Sequence, residues 1–210
     1  MLPRLFSLPL AHASLHGQLL RPAAACNLLV IAKPHRIAIN DPLAHYFVQA
    51  GYAVLATELL TEREAAYAEA AQDTARLTSR LLQLLALIQE DADTRDLNLI
   101  LLASDDVSPA AVRAAARRDT QVAAVVACGG LVDRAGLEAL NLLRAPLLFM
   151  YSGENVYADK AWQRAQRHLS CPHDSQRLPA GADAAPLIAG WLEERLTCAV
   201  CTSRNSAPIQ

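Results

Sequence analysis

Short, uninterrupted apolar runs recur along the chain and are separated by longer amphipathic or polar stretches. Runs of Val, Leu and Ile without polar interruption are typical of parallel strands that are buried on both faces. We predict strands at Asn27–Ala32, Ala53–Ala56, Leu97–Leu102, Val122–Ala127 and Pro146–Tyr151, with a shorter one at Ser175–Leu178.

The stretches between these runs favour helices. In the longest of them, Glu64–Gln89, leucine and isoleucine recur at three- and four-residue spacing and form one apolar stripe. Thr61 and Glu64 have the spacing of a capping box, and Ser108 before Pro109 is a predicted N-cap. Helices are predicted at Pro42–Ala50, Pro109–Arg118, Asp133–Leu143, Ala158–Leu169 and Ala185–Leu196 as well.

Strands and helices therefore alternate five times. Parallel strands need crossover connections of this kind, so the pattern predicts an α/β fold, a three-layer α/β/α sandwich around a mostly parallel sheet. Leu8–Pro22 is expected to add an antiparallel hairpin at one edge of the sheet. We predict one domain over 1–196 and a polar tail over 197–210.

Composition narrows the class of protein. The chain has 210 residues, is 53% hydrophobic and carries a formal charge of −2, which excludes a disordered chain and leaves no basic excess for nucleic acid or a membrane surface. Its longest apolar run, Val122–Cys128, is too short to span a bilayer, and no secretory apolar region is visible. Five scattered cysteines do not form a disulfide framework, so we expect a reducing, cytoplasmic setting.

Three segments carry a family resemblance. They are the run Gly51–Glu64, the strand Val122–Val126 with Gly129-Gly130 and Asp133, and the strand Ala145–Phe149 followed by Gly153. From Leu19 to Leu196 the chain resembles the dienelactone-hydrolase-like branch of the α/β-hydrolase superfamily. The resemblance implies an α/β-hydrolase fold without a lid domain and, in the family, a catalytic triad with its nucleophile on a sharp elbow.

The catalytic positions depart from that pattern. The elbow falls on Ala103–Val107, so the nucleophile position holds Asp105, while Ser104 lies one residue early. The oxyanion loop begins with Lys33-Pro34, and a proline has no N–H to donate.

The other two members of the triad have also changed. The position of the acid falls on Asn155, beside Glu154, and the position of the histidine falls on Asp183 or Ala184. We therefore predict a protein that has lost serine-hydrolase activity and has a binding or accessory role. The alternatives are a hydrolase of small esters or lactones with Asp105 as nucleophile, and a structural or oligomerising partner.

Several candidate residues also have a purely structural interpretation. Asp105 and Asp106 can simply cap the following helix and form its turn. Ser104 lacks a paired base, and Cys128 has the features of an inert buried cysteine. Glu58 and Glu154 both end strands and would form a carboxylate pair if they met. The candidates for a pocket that takes a small acyl or ester-like ligand are Lys33, His35, Glu58, Asp106, Cys128, Asn155 and Asp183.

Metal and cofactor chemistry are not predicted. Cys198 and Cys201 form a C-x-x-C in the tail, but a structural zinc site needs a second pair of ligands. His35 lies beside Arg36, which is typical of a solvated surface histidine. We therefore predict no metal and no cofactor.

Overall fold

A computed structural model describes residues 3–10, 14–35, 41–179 and 181–196. The described residues form an eight-stranded sheet of order β1-β2-β4-β3-β5-β6-β7-β8. The strands are β1 Arg4–Pro9, β2 Ser14–Leu20, β3 Asn27–Lys33, β4 Ala53–Glu58, β5 Asn98–Ser104, β6 Val122–Cys128, β7 Leu147–Ser152 and β8 His173–Leu178. The hairpin β1–β2 pairs antiparallel to β4 at one edge, and the remaining pairs are parallel.

Helices cover both faces of this sheet. They are α1 Pro42–Gln49, α2 Glu62–Ala65, α3 Ala68–Gln72, α4 Thr74–Glu90, α5 Ser108–Arg117, α6 Leu137–Leu142, α7 Val156–Ala165 and α8 Ala184–Arg195. Leu28 and Val30 of β3 belong to the core beneath α4, α5 and α7. Leu29 and Ile31 belong to the core beneath α1 and α8. The predicted three-layer sandwich and edge hairpin are therefore confirmed.

Two predicted helices are interrupted. The stretch from Glu64 to Gln89 is divided into α2, α3 and α4, because the Asp73 carboxylate accepts a hydrogen bond from the Arg76 N–H (3.0 Å) and begins a new helix. The Asp133–Leu143 helix is divided at Gly136, whose φ of +86° lies outside the helical region. Among the described helices, none is long and apolar enough to cross a membrane.

The connection from β4 to α2 is fixed by a partly buried ion pair. The predicted capping box is confirmed, since Thr61 Oγ1 accepts from the Glu64 N–H and the Glu64 carboxylate accepts from the Thr61 N–H. Arg80 is 8% exposed and donates to both oxygens of Glu64, at 2.8 and 2.5 Å, and to the carbonyl of Leu59. These hydrogen bonds from Arg80 lower the pKa of Glu64 to about 2, against the opposing effect of burial.

Candidate functional site

The carboxyl ends of the parallel strands meet at one edge of the sheet. The crossover after β3 leads to β4 on one side, and the crossover after β4 leads to β5 on the other side of β3. In open α/β sheets, ligands bind at this kind of topological switch point. The register puts Ala32 beside Ala103, so the segments that begin at Lys33 and at Ser104 leave the sheet as neighbours.

Asp105 lies on a sharp elbow between β5 and α5. Its φ of +48° is the one positive value among the described non-glycine residues, and such a backbone is uncommon outside glycine. A single 3₁₀ turn, Asp105–Val107, then leads directly into α5. The strand, strained turn and helix of a nucleophile elbow are therefore present with a carboxylate at the nucleophile position.

The predictions that Asp105, Asp106 or Ser108 caps the helix after the elbow are wrong. Neither the 3₁₀ turn nor α5 has a side-chain cap, so Asp105 and Asp106 do not cap the helix as the alternative interpretation expected. Ser108 lies within α5 instead of before it, and its hydroxyl donates to the Ala103 carbonyl at 3.4 Å. The hydroxyl is fully buried and takes part in closing the turn.

Two glycines on the neighbouring strand make room for the elbow. A Cβ on Gly130 would lie 2.0 Å from the carbonyl oxygen of Asp105, and a Cβ on Gly129 would lie 2.9 Å from its Oδ1. Both glycines have positive φ. At Gly130 any side chain would overlap the backbone of the elbow, and at Gly129 the positive φ favours glycine. The absence of a side chain at Gly130 thus lets the backbone of the elbow lie close to the chain that follows β6.

Burial dominates the electrostatics around Asp105. It raises the pKa of Asp105, and the negative charge of Asp106 adds to the effect. Burial, followed by the charge of Asp105, raises the pKa of the Cys128 thiol to about 12. The thiol is therefore protonated at neutral pH and a poor nucleophile. The Asp105 carboxylate has no hydrogen bond or ion pair with the part of the chain that the structure describes.

His35 is not the solvated histidine that the sequence predicted. Its side chain is 20% exposed, and its Nδ1 lies 3.1 Å from Glu58 Oε2 and 3.3 Å from the carbonyl of Leu60. Both neighbours are acceptors, so Nδ1 is the ring nitrogen that carries a proton towards them. The adjacent Lys33 is taken up in an ion pair with Asp41, the residue that caps α1.

The positions that correspond to the catalytic acid and histidine serve as helix caps. Asn155 Oδ1 accepts from the Ala158 N–H at 3.0 Å and begins α7. Asp183 Oδ1 accepts from the Ala185 N–H at 2.9 Å and begins α8. Both side chains are therefore engaged in hydrogen bonds of local structure.

The two strand-end glutamates do not form a pair. Glu58 ends β4 and Glu154 follows β7, and the strand order puts three strands between β4 and β7. Four spacings of about 4.8 Å separate these strands by about 19 Å. Glu58 contacts His35 instead.

No metal cluster is present in the described ranges: no three His, Cys, Asp or Glu side chains converge there. The C-x-x-C pair Cys198 and Cys201 lies outside the described residues. Sequence reasoning missed Gln18 of β2, whose side-chain Oε1 is buried without a hydrogen-bond partner. A glutamine in a strand whose residues alternate between buried and exposed gives no signal of this kind in the sequence.

The fold is similar to solved structures of a dienelactone hydrolase and of esterases. A crystal structure of dienelactone hydrolase from Anabaena variabilis is 25% identical in sequence and superimposes with a TM-score of 0.79 over 92% of this chain and 97% of that one. Est1E from Butyrivibrio proteoclasticus superimposes with a TM-score of 0.71 and 9% sequence identity, over 90% of this chain and 96% of that one. A cold-adapted esterase from an Arctic intertidal metagenomic library also has a TM-score of 0.71, with 14% identity over 92% of this chain and 93% of that one. The chain therefore has the α/β-hydrolase fold, in the dienelactone-hydrolase-like form that the sequence predicted.

Similarity to known proteins at the level of sequence covers less of the chain than the structural similarity does. No protein-family profile matches the chain. Proteins of two Mycobacterium tuberculosis strains, provisionally named phosphoribosyl transferases, are 32% identical over 127 residues, which is 60% of this chain and 28% of theirs. The match thus spans little more than a quarter of those curated relatives.

Proposed function

We propose that this chain has no serine-hydrolase activity and uses the α/β-hydrolase fold for binding or in an accessory role. One observation carries the proposal: the elbow is intact, but it presents the unpartnered carboxylate of Asp105 instead of a hydroxyl. The triad chemistry requires a base that takes and returns the nucleophile's proton. The two positions that would supply acid and base are helix caps.

The curated relatives fit an accessory role. The matched part is a minor segment of chains named for phosphoribosyl transfer, a chemistry unrelated to ester hydrolysis. A segment of this kind keeps its fold when its own catalytic groups are lost, because fold and site are under separate physical constraints. Binding of a small molecule at the strand ends, in a cytoplasmic setting, is the role that we assign to this chain.

A second candidate is a hydrolase with Asp105 as nucleophile. The retained elbow favours it, since strained backbone angles at non-glycine residues cluster at active sites. A carboxylate nucleophile that attacks the alkyl carbon of an ester forms an aspartyl ester and releases the substrate's carboxylate, whereas attack at the acyl carbon forms a mixed anhydride and releases the alcohol part. In either case a base then activates the water that hydrolyses the intermediate and restores the Asp105 carboxylate. His35, with Glu58 on Nδ1 and a free Nε2, is the described residue with the chemistry of such a base.

An assay with esters and lactones distinguishes the binding role from the hydrolase with Asp105 as nucleophile. We expect activated short-chain esters and lactones to show the same turnover with the wild-type protein and with Asp105→Ala. Turnover that disappears in Asp105→Ala would contradict the proposal and support the second candidate. A reaction run in H₂¹⁸O adds a direct readout, because water attack on an aspartyl ester puts ¹⁸O into the Asp105 carboxylate and raises the mass of its peptide. Ser104→Ala is the matched control, and we expect it to change neither readout.

A further inference from the structure

A groove between α5 and α6 has exposed apolar side chains along one of its walls. The groove has a volume of about 340 Å³. Its α6 wall contains Leu137 and Leu142, which are 61% and 49% exposed. The α5 wall contains the small residue Ala116, which leaves both leucines open to solvent. Exposed apolar surface with a polar rim marks an interaction site in soluble proteins.

The two walls of this groove carry opposite charges. Arg113 and Arg117 of α5 lie on one wall, and Glu138 of α6 lies on the other. Arg113 donates to the carbonyls of Ala135 and Arg134, at 2.7 and 3.1 Å, and so holds the start of α6 against α5. Arg117 and Glu138 are exposed, and neither makes an ion pair with the residues that the structure describes. The groove therefore offers a cation and an anion to a partner.

These two charges lie at the same level of their helices. Both α5 and α6 follow the carboxyl end of a parallel strand, so the two helices run in the same direction. The hydrogen bond between Arg113 and the Ala135 carbonyl puts those two residues side by side. Arg117 comes four residues after Arg113, and Glu138 comes three residues after Ala135, so their levels agree to within about one helical turn, or about 5 Å.

We propose that this groove is the interface between two copies of the chain in a twofold-symmetric dimer. An axis parallel to the groove puts α6 of each copy on α5 of the other, so Leu137 and Leu142 become covered and Glu138 of each copy meets Arg117 of the other. A twofold interface requires a surface that complements itself, and opposite charges at one level on the two walls provide it. A partner of uniform charge would instead meet one like charge.

The expected dimer is a weak one. Nine residues line the groove, which is fewer than the roughly 20–30 residues that each partner contributes to an interface of standard size. We therefore expect dissociation on dilution. The inference goes beyond the proposed binding role and does not depend on it, because the groove lies between helices and not at the strand ends.

Sedimentation velocity of the full chain, from about 1 to about 200 µM, tests the dimer. We expect the mass to rise from the 22.6 kDa of one chain towards twice that value. Leu137→Glu should weaken association at least tenfold, because the change occurs twice in the dimer. Leu187→Glu is the matched control, since Leu187 is also exposed but lies on α8, which covers the other face of the sheet. A chain that stays monomeric, or a dimer that Leu137→Glu does not weaken, would overturn the proposal.

Charge reversal tests the pairing between the copies and excludes misfolding as the cause. Glu138→Arg and Arg117→Glu should each weaken self-association about three- to tenfold, because each puts like charges together at both ends of the pairing. Their unfolding temperatures should stay near that of the wild type, since both side chains are exposed. A mixture of the two variants should recover the dimer, because every contact between the copies then joins opposite charges. A mixture that associates no better than either variant alone would overturn the twofold interface.

Discussion

The Glu64–Arg80 pair offers a quantitative test of how the region beside the site is held. Arg80 donates to both carboxylate oxygens of Glu64 and to the carbonyl of Leu59, and so ties α4 to the connection between β4 and α2. The Glu64 side chain is 26% exposed. Replacement by glutamine keeps the size and removes the charge, which approximates a protonated carboxyl group.

The expected magnitude follows from the pKa of Glu64. It is lowered from 4.5 to about 2 in the folded protein, and one pKa unit corresponds to about 1.4 kcal/mol. The charged form therefore stabilises the fold by at most about 3.4 kcal/mol, and partial solvent screening reduces this to about 2–3 kcal/mol. Glu64→Gln should lower the free energy of unfolding by that amount at pH 7.

The pH dependence has a definite sign. Because the folded-state pKa lies below the unfolded value, the contribution is fully present above about pH 4.5 and is lost as the pH falls towards 2. Roughly half of it should remain near pH 3.3. The difference between wild type and Glu64→Gln must therefore shrink over this interval.

Urea unfolding monitored by circular dichroism at several pH values measures this difference. Glu69→Gln is the matched control, since Glu69 lies exposed on the adjacent α3 and makes no ion pair with the described residues. Its variant should differ little from wild type at every pH. A loss for Glu64→Gln that is below about 1 kcal/mol at pH 7, or equal at pH 7 and pH 2.5, would refute the reasoning from the ion pair.

Three further outcomes are expected. Asp105→Asn should raise the free energy of unfolding at pH 7, as measured by urea unfolding, because burial disfavours the charge that asparagine lacks while asparagine tolerates the same positive φ; a loss of stability would show that the carboxylate is held by interactions. Gly130→Ala should be far more destabilising in thermal melts than Gly51→Ala, since both glycines have positive φ but only Gly130 faces a contact of 2.0 Å; equal losses would contradict the packing of the elbow. Cys128 should resist iodoacetamide at pH 8 in the folded protein, because its pKa is raised to about 12; modification at the rate of a free thiol, detected by mass spectrometry, would contradict the raised pKa.

The sequence predicted much of the local structure correctly because its signals are local. Uninterrupted apolar runs place the strands, and the Thr61–Glu64 spacing gives the start of α2. The interruptions of the helices were missed, because Asp73 and Gly136 act through backbone geometry that an apolar stripe does not report. Ser108 was misplaced for a similar reason: its hydroxyl bonds back into the elbow instead of to the helix N-terminus.

The candidate site likewise combines features that follow from the sequence with features that depend on the tertiary structure. The sequence by itself determined which residue types occupy the positions that correspond to the triad: Asp105 at the position of the nucleophile, Asn155 at that of the acid, and Asp183 or Ala184 at that of the histidine. Only the tertiary structure decided which groups meet, because strand order and register set distances between residues far apart in the chain. Strand order and register bring Glu58 to His35 and keep Glu58 far from Glu154. They also leave the side-chain oxygen of Gln18 buried without a hydrogen-bond partner. Spacing along one strand cannot report such contacts, since they depend on which strands become neighbours.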